Sequence, residues 1–141
     1  MKRPPWLGKK IRWNDSCGVA RLMRGASLHT VCEEARCPNL SECFARKTAA
    51  FLILGDICTR NCAFCAVNRG VPRPVAPDEP LRVAGAVRRM GIEYAVVTSV
   101  TRDDLADGGA SVFAETIRCV RSDGGAKRVE VLVPDFRGAE D

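Results

Sequence analysis

The sequence predicts an α/β fold built on a parallel sheet, and three observations carry that expectation. Short apolar runs alternate with amphipathic stretches in the order strand, helix, strand, helix, strand. Such alternation implies parallel strands joined by right-handed crossovers. The chain has 141 residues, 46% of them hydrophobic. That is enough to pack one modest domain, but well short of the roughly 250 residues of a closed eight-stranded barrel.

Residues 1–48 show little periodicity and carry four cysteines. They read as an irregular N-terminal extension with short helical pieces. Residues 49–141 read as the sheet-forming unit. Its first strand is Ala49-Ala50-Phe51-Leu52-Ile53-Leu54-Gly55, a run apolar at every position, as expected of a parallel strand buried on both faces. A cysteine-rich loop follows, and Pro72, Pro74 and Pro77 keep the next segment extended. Asp78 is placed to cap a helix with Glu79 and Pro80 in its first turn. Val83, Val87 and Met90 give that helix an apolar face, and Gly91 a stop. Tyr94 to Ser99 is the second strand. About Ala110 to Arg121 is a second helix, with Phe113, Ile117 and Val120 on one face. Gly124-Gly125 breaks it, and Val129 to Val133 is the third strand, ended by Pro134. There is no internal repeat and no low-complexity tract.

With 28% charged residues and ample apolar content, a disordered chain is excluded. Part of the net charge of +5 sits in Lys2, Arg3, Lys9, Lys10 and Arg12. Such an arm could touch nucleic acid or an acidic protein partner, but plain solvation accounts for it at least as well at this modest charge, so no nucleic-acid partner is expected. No apolar run reaches signal-peptide or membrane-span length, so a cytoplasmic protein without a membrane partner is expected. In a reducing compartment, eight cysteines point to metal or redox chemistry rather than disulfides. His29 is the single histidine, so any metal site must rely on thiolates.

Six cysteines fall into two triplets. Cys58-x3-Cys62-x2-Cys65 follows the first strand directly, where parallel α/β folds bind ligands. Three thiolates can hold three irons of a four-iron cluster and leave the fourth iron open. A structural zinc site is the alternative, but zinc prefers four protein ligands, often as paired C-x2-C elements. The second triplet, Cys32-x4-Cys37-x5-Cys43, is less specific on spacing alone, because zinc held with His29 and mixed pairing with the other triplet are competing arrangements. Cys17 and Cys119 lie outside both triplets and read as small buried hydrophobes.

The form C-x3-C-x-aromatic-C at Cys58–Cys65 resembles the signature of the radical S-adenosylmethionine (SAM) superfamily. The triplet at Cys32, Cys37 and Cys43 resembles the mark of the lipoyl synthase family within it. Lys2 to Leu7, Thr30 to Asn39, Phe51 to Cys65, Val97 to Val100, Arg102 to Leu105, Asp107 to Ala110 and Glu130 to Gly138 fit the same family in order. The resemblance implies a partial (β/α) barrel, here cut after about three strands. It implies that Cys58, Cys62 and Cys65 hold a SAM-binding 4Fe-4S cluster, and that Cys32, Cys37 and Cys43 hold an auxiliary 4Fe-4S cluster. It implies sulfur insertion at carbons 6 and 8 of a protein-bound octanoyl group, making the lipoyl cofactor. The partners implied are an octanoylated lipoyl carrier domain or glycine-cleavage H protein, and a ferredoxin or flavodoxin as electron donor.

Smaller roles carry over by the same resemblance. Phe64 would lie against the adenine, with ordinary packing as its alternative. Thr98 and Ser99 would meet the cofactor at a strand end, or simply hydrogen-bond there. Arg102 and Asp103 match positions near the cofactor, although loop charges are usually solvated. Asp107-Gly108-Gly109 is better explained as a helix-capping turn than as a phosphate cradle.

Two departures stand out. Thr101 occupies a position where the family usually has Asp. The family also runs roughly twice this length, and its Arg-Ser-Ser-Tyr element is missing; the nearest sequence is Arg121-Ser122-Asp123. A third strand with an unpaired apolar edge and a half-built site leads to the expectation that these residues alone are inactive and need a missing C-terminal half. An iron–sulfur electron-transfer module and a zinc-stabilised binding domain are the competing functions.

Overall fold

The structure is a computed structural model that describes Pro4 and residues 13–46 and 48–138. The basic arm of Lys2, Arg3, Lys9, Lys10 and Arg12 lies outside the described residues, as does the Cys17 side chain. Helix α1 (Trp13–Gly25) precedes β1 (His29–Thr30), α2 (Val31–Glu34) and α3 (Leu40–Ala45). Strand β2 (Ala50–Ile53) leads into β3 (Ile57–Cys58) and β4 (Asn68–Arg69). Then follow α4 (Glu79–Met90), β5 (Tyr94–Ser99), α5 (Ala110–Ser122), β6 (Arg128–Leu132) and a 3-10 turn (Phe136–Gly138).

The main sheet has the order β1-β2-β5-β6, with β2, β5 and β6 parallel. The alternation of elements therefore reads correctly. The sequence did not suggest β1, which pairs antiparallel with β2 through Thr30 opposite Phe51 and His29 opposite Leu52. Nor did it suggest that the first 48 residues hold a helix of 13 residues, α1, which packs on α3. Polar residues dilute the apolar spacing of α1, so its period is weak in the sequence.

Phe51, Leu52 and Ile53 are all buried, as a strand covered on both faces requires. Register places Phe51, Ile53, Ala95 and Val97 on one face, where Val83, Val87, Phe113 and Val120 also lie in the core. The α5 face differs from the expected one. Thr116 and Cys119 are buried beside Phe113 and Val120, whereas Ile117 is only half-buried. The Thr116 hydroxyl is satisfied by donating to the Val112 carbonyl. The opposite sheet face is open toward β6, where Tyr94 and Leu132 are half-exposed. Along that strand Arg128 and Glu130 alternate with half-buried Val129 and Val131. The edge is thus partly charged rather than uniformly apolar, which blunts its tendency to pair.

Asp78 does not cap α4 with its side chain; it forms an ion pair with Arg82 one turn on. The next residue, Glu79, is the one that matters to the sheet. It is 4% exposed, and its Oε2 accepts from the Leu54 amide at 2.8 Å. Arg102, also buried, donates through Nη1 to the Leu54 carbonyl at 3.2 Å. Leu54 has a φ of +68°, so its peptide groups leave the β ladder, and these two side chains satisfy both. Gly109 lies beneath: a Cβ there would come within 2.3 Å of Leu54 Cδ1, and its φ of +93° suits only glycine well.

Burial pushes the Glu79 carboxyl above its ordinary value of 4.5, against the opposing pull of the Leu54 amide. Below 4.5 folded and unfolded chains both hold this proton. As pH climbs through the higher folded value, the folded state loses the advantage. Urea denaturation across pH should therefore show Glu79→Gln with a shallower loss of stability above pH 4.5 than the unaltered chain.

Candidate iron–sulfur site

The first triplet lies where β2 delivers it. Cys58 ends β3, and the loop to β4 closes through pairing of Ile57 with Asn68 and Cys58 with Arg69. The Gly70 amide donates to the Cys58 carbonyl, and the Cys65 amide to the Cys62 carbonyl. Cys58 is half-buried, Cys62 and Cys65 are exposed, and all three are free thiols. Phe64 between them is 92% exposed, so it packs against nothing that would explain an aromatic there.

The loop is fixed by the two residues after Cys58. Thr59 donates its amide and its hydroxyl to the Thr101 carbonyl, at 3.1 and 2.9 Å. The Asp103 amide donates back to Thr59 Oγ1 at 3.2 Å. Arg60 places Nε and Nη2 on Asp103, at 2.8 and 2.9 Å, and Nη1 and Nη2 on Asp135, both at 2.8 Å. Arg137 adds a bond to Asp103 at 3.2 Å. The Arg60 bonds, above all, hold the Asp103 carboxyl down at about 2. The cysteine loop is thereby tied to the loops after β5 and β6. Thr101 contributes its carbonyl to this arrangement, an atom that any residue supplies.

The remaining expected cofactor residues are placed as follows. Arg102 forms a bidentate pair with Asp104, through Nε and Nη2 at 2.8 Å each. Neither Arg102 nor Asp103 is a solvated loop charge. Thr98 lies on the open sheet face, and its hydroxyl donates to the Leu132 carbonyl at 2.8 Å. Ser99 shares the opposite face with Ile53, and its buried hydroxyl has no partner among the described residues. Asp107 accepts from the Gly109 and Ser111 amides at 2.9 Å, the capping turn expected of it. Ser122 spends its hydroxyl on the Arg118 carbonyl, inside α5.

The second triplet is drawn together by short elements. Thr30 caps α2, its Oγ1 accepting from the Glu33 amide at 3.2 Å. The Thr-x-x-Glu pattern at positions 30–33 is a helix-start signal that the sequence reading passed over. The Cys37 amide donates to the Cys32 carbonyl, and Cys43 lies in α3. Burial pushes the Cys32 thiol up, and the nearby Cys37 and Cys43 thiols push it further. His29 stands 3.3 Å from Glu34 through Nδ1, lining a separate cavity of about 120 Å³ with Glu79 and Arg82. The two triplets do not share one site. Cys32 lies by Ala50 at the start of β2, whereas Cys58 lies beyond its end, and four strand residues span about 10 Å.

The sequence pattern of the family described as the Radical SAM superfamily matches residues 52–141, more than half of the chain. The chain belongs to the radical SAM superfamily. It also resembles curated relatives named lipoyl synthase. That of Symbiobacterium thermophilum is 58% identical over 138 residues, covering 97% of this chain and 43% of the relative. That of Rubrobacter xylanophilus is 56% identical over 142 residues, covering 99% and 44%. That of Caldicellulosiruptor bescii is 52% identical over 140 residues, covering 99% and 48%. The chain spans about half the length of these relatives and matches their N-terminal part.

Membership implies a 4Fe-4S cluster and SAM. The donor set fits such a cluster. Thiolates are the soft donors that iron–sulfur clusters take. A four-iron cube takes each thiolate on a different iron, and Cys58, Cys62 and Cys65 are three free cysteines on one loop. No helix among the described residues is long and apolar enough to cross a membrane.

Arg102 is 2% exposed, so replacing it strands Asp104 and the Leu54 carbonyl together. Arg102→Ala should cost about 3 kcal/mol of unfolding free energy, the low end for a broken buried pair because Asp104 keeps some solvent. Arg102→Lys should restore little, since an ammonium cannot reproduce the fork. Urea denaturation reads both.

Proposed function

We propose that this polypeptide supplies the cluster-binding N-terminal part of a lipoyl synthase. In this reading Cys58, Cys62 and Cys65 hold the SAM-binding 4Fe-4S cluster, and Cys32, Cys37 and Cys43 hold an auxiliary one. The observation that carries it is a loop of three free thiols, tied into the rim at the carboxyl ends of a parallel sheet. Identity to lipoyl synthases over nearly the whole chain supports the choice within the superfamily.

The first cluster, when present with SAM, would supply a 5′-deoxyadenosyl radical by one-electron reductive cleavage. The chain's own residues hold and shield. Phe64, exposed beside the thiols, is available to cover an adenine face. Thr98, on the open face at the end of β5, is better aimed than Ser99 to meet the cofactor. Arg102 and Asp103 act by fixing the loop around it. The substrate would be an octanoyl group on a lipoyl carrier domain or H protein, with sulfur entering at carbons 6 and 8. A ferredoxin or flavodoxin would supply electrons, and the cytoplasm is the matching compartment.

Anaerobic reconstitution with iron and sulfide should load about eight irons per chain, with broad visible absorption. The triple variant Cys58→Ala, Cys62→Ala, Cys65→Ala should retain about four and lose SAM binding. Unchanged iron in that variant would refute the assignment.

Among the described residues β6 has a neighbour on one side alone, and the face carrying Tyr94 and Leu132 is open. Radical chemistry requires a closed, dry site. The 141 residues by themselves should therefore give little or no lipoyl product in a SAM- and reductant-dependent assay. Sustained turnover would show that closure is not needed.

A further inference from the structure

We propose that Arg60 is a positioning residue for the first cluster: its side chain locks the cysteine loop against two other loops so that its own backbone N–H stays directed at the Cys58 sulfur. The inference rests on the reading of Cys58, Cys62 and Cys65 as cluster ligands. Arg60 stands between the first two of them, and its amide is 3.4 Å from Cys58 Sγ. The guanidinium makes two forks at once, one on Asp103 and one on Asp135, with four contacts of 2.8 to 2.9 Å. Only a planar guanidinium offers donors in that arrangement; an ammonium of equal charge does not.

The network is balanced, with Arg60 and Arg137 facing Asp103 and Asp135. Its influence on the thiols is therefore geometric rather than a net field. Asp135 reaches the loop across 75 residues of sequence, and Phe136 beside it meets Phe113 edge-to-face, with centroids 6.3 Å apart. The loop after β6 is thus itself anchored, and Arg60 passes that rigidity to the cysteines. Hydrogen bonds to cluster sulfurs raise the reduction potential by stabilising the added electron. Freeing the Arg60 amide must then lower it.

The test uses the full chain, reconstituted anaerobically with iron and sulfide. Arg60→Lys keeps the charge and loses both forks. Asp135→Asn alters a carboxylate that is mostly exposed and far in sequence from the thiols, so it serves if the first variant folds poorly. The expected result is a lower midpoint potential of the first cluster in Arg60→Lys, a smaller shift of the same sign in Asp135→Asn, and several-fold faster iron loss to a chelator in both. Fully loaded variants with the potential, electron paramagnetic resonance spectrum and chelator resistance of the unaltered chain overturn the inference alone. An unaltered chain that takes up no iron overturns the cluster reading and this inference together.

Discussion

Burial of β2 on both faces is the constraint from which the rest of the structure follows. Phe51 and Ile53 lie on the helix-covered side, and Leu52 is buried on the other. A strand so enclosed has no freedom to slip, because a shift of one residue would exchange its faces. Both cysteine groups hang from this fixed rod. Cys32 reaches its start through β1 and α2, and Cys58 leaves its end through β3. The geometry of two distant thiol groups is therefore inherited from the packing of three apolar side chains.

The exit from β2 is where polar chemistry takes over. Leu54 turns into a left-handed conformation, and its two peptide groups bond to the buried side chains of Glu79 and Arg102. Two charged residues in a core would be costly alone. Here each satisfies a backbone group that the turn has removed from the ladder, and Arg102 is further neutralised by Asp104. The chain is thus redirected toward the sheet rim by a local structure in which each buried polar group has a stated partner.

The order of the parallel strands and their two helices was legible because apolar period and glycine or proline punctuation agree there, whereas the two-residue strands β3 and β4 fell in a stretch read as loop. Spacing and residue type single out the six triplet cysteines as candidate ligands. What escaped the sequence is long-range. Nothing near Glu79 marks it as the partner of an amide 25 residues earlier, and Asp78 looked the better cap. Arg102 and Asp103 read as loop charges because their partners, Leu54, Thr59 and Arg60, come from another strand's loop. The β1 pairing was missed because two residues are too few to show a period, and the Thr30 cap because a helix of four residues gives no apolar stripe.

The separation between Arg60 and Asp135 also bears on synthesis. A ribosome adds about 5–20 residues per second, so those 75 residues take roughly 4 to 15 s to emerge. Throughout that interval the thiols at 58, 62 and 65 sit on an unfinished rim, whereas Cys32, Cys37 and Cys43 are joined by contacts only a few residues long. Local contacts form early and distant ones late. The segment carrying Cys32, Cys37 and Cys43 would therefore make its local contacts before the rim around Cys58, Cys62 and Cys65 is complete.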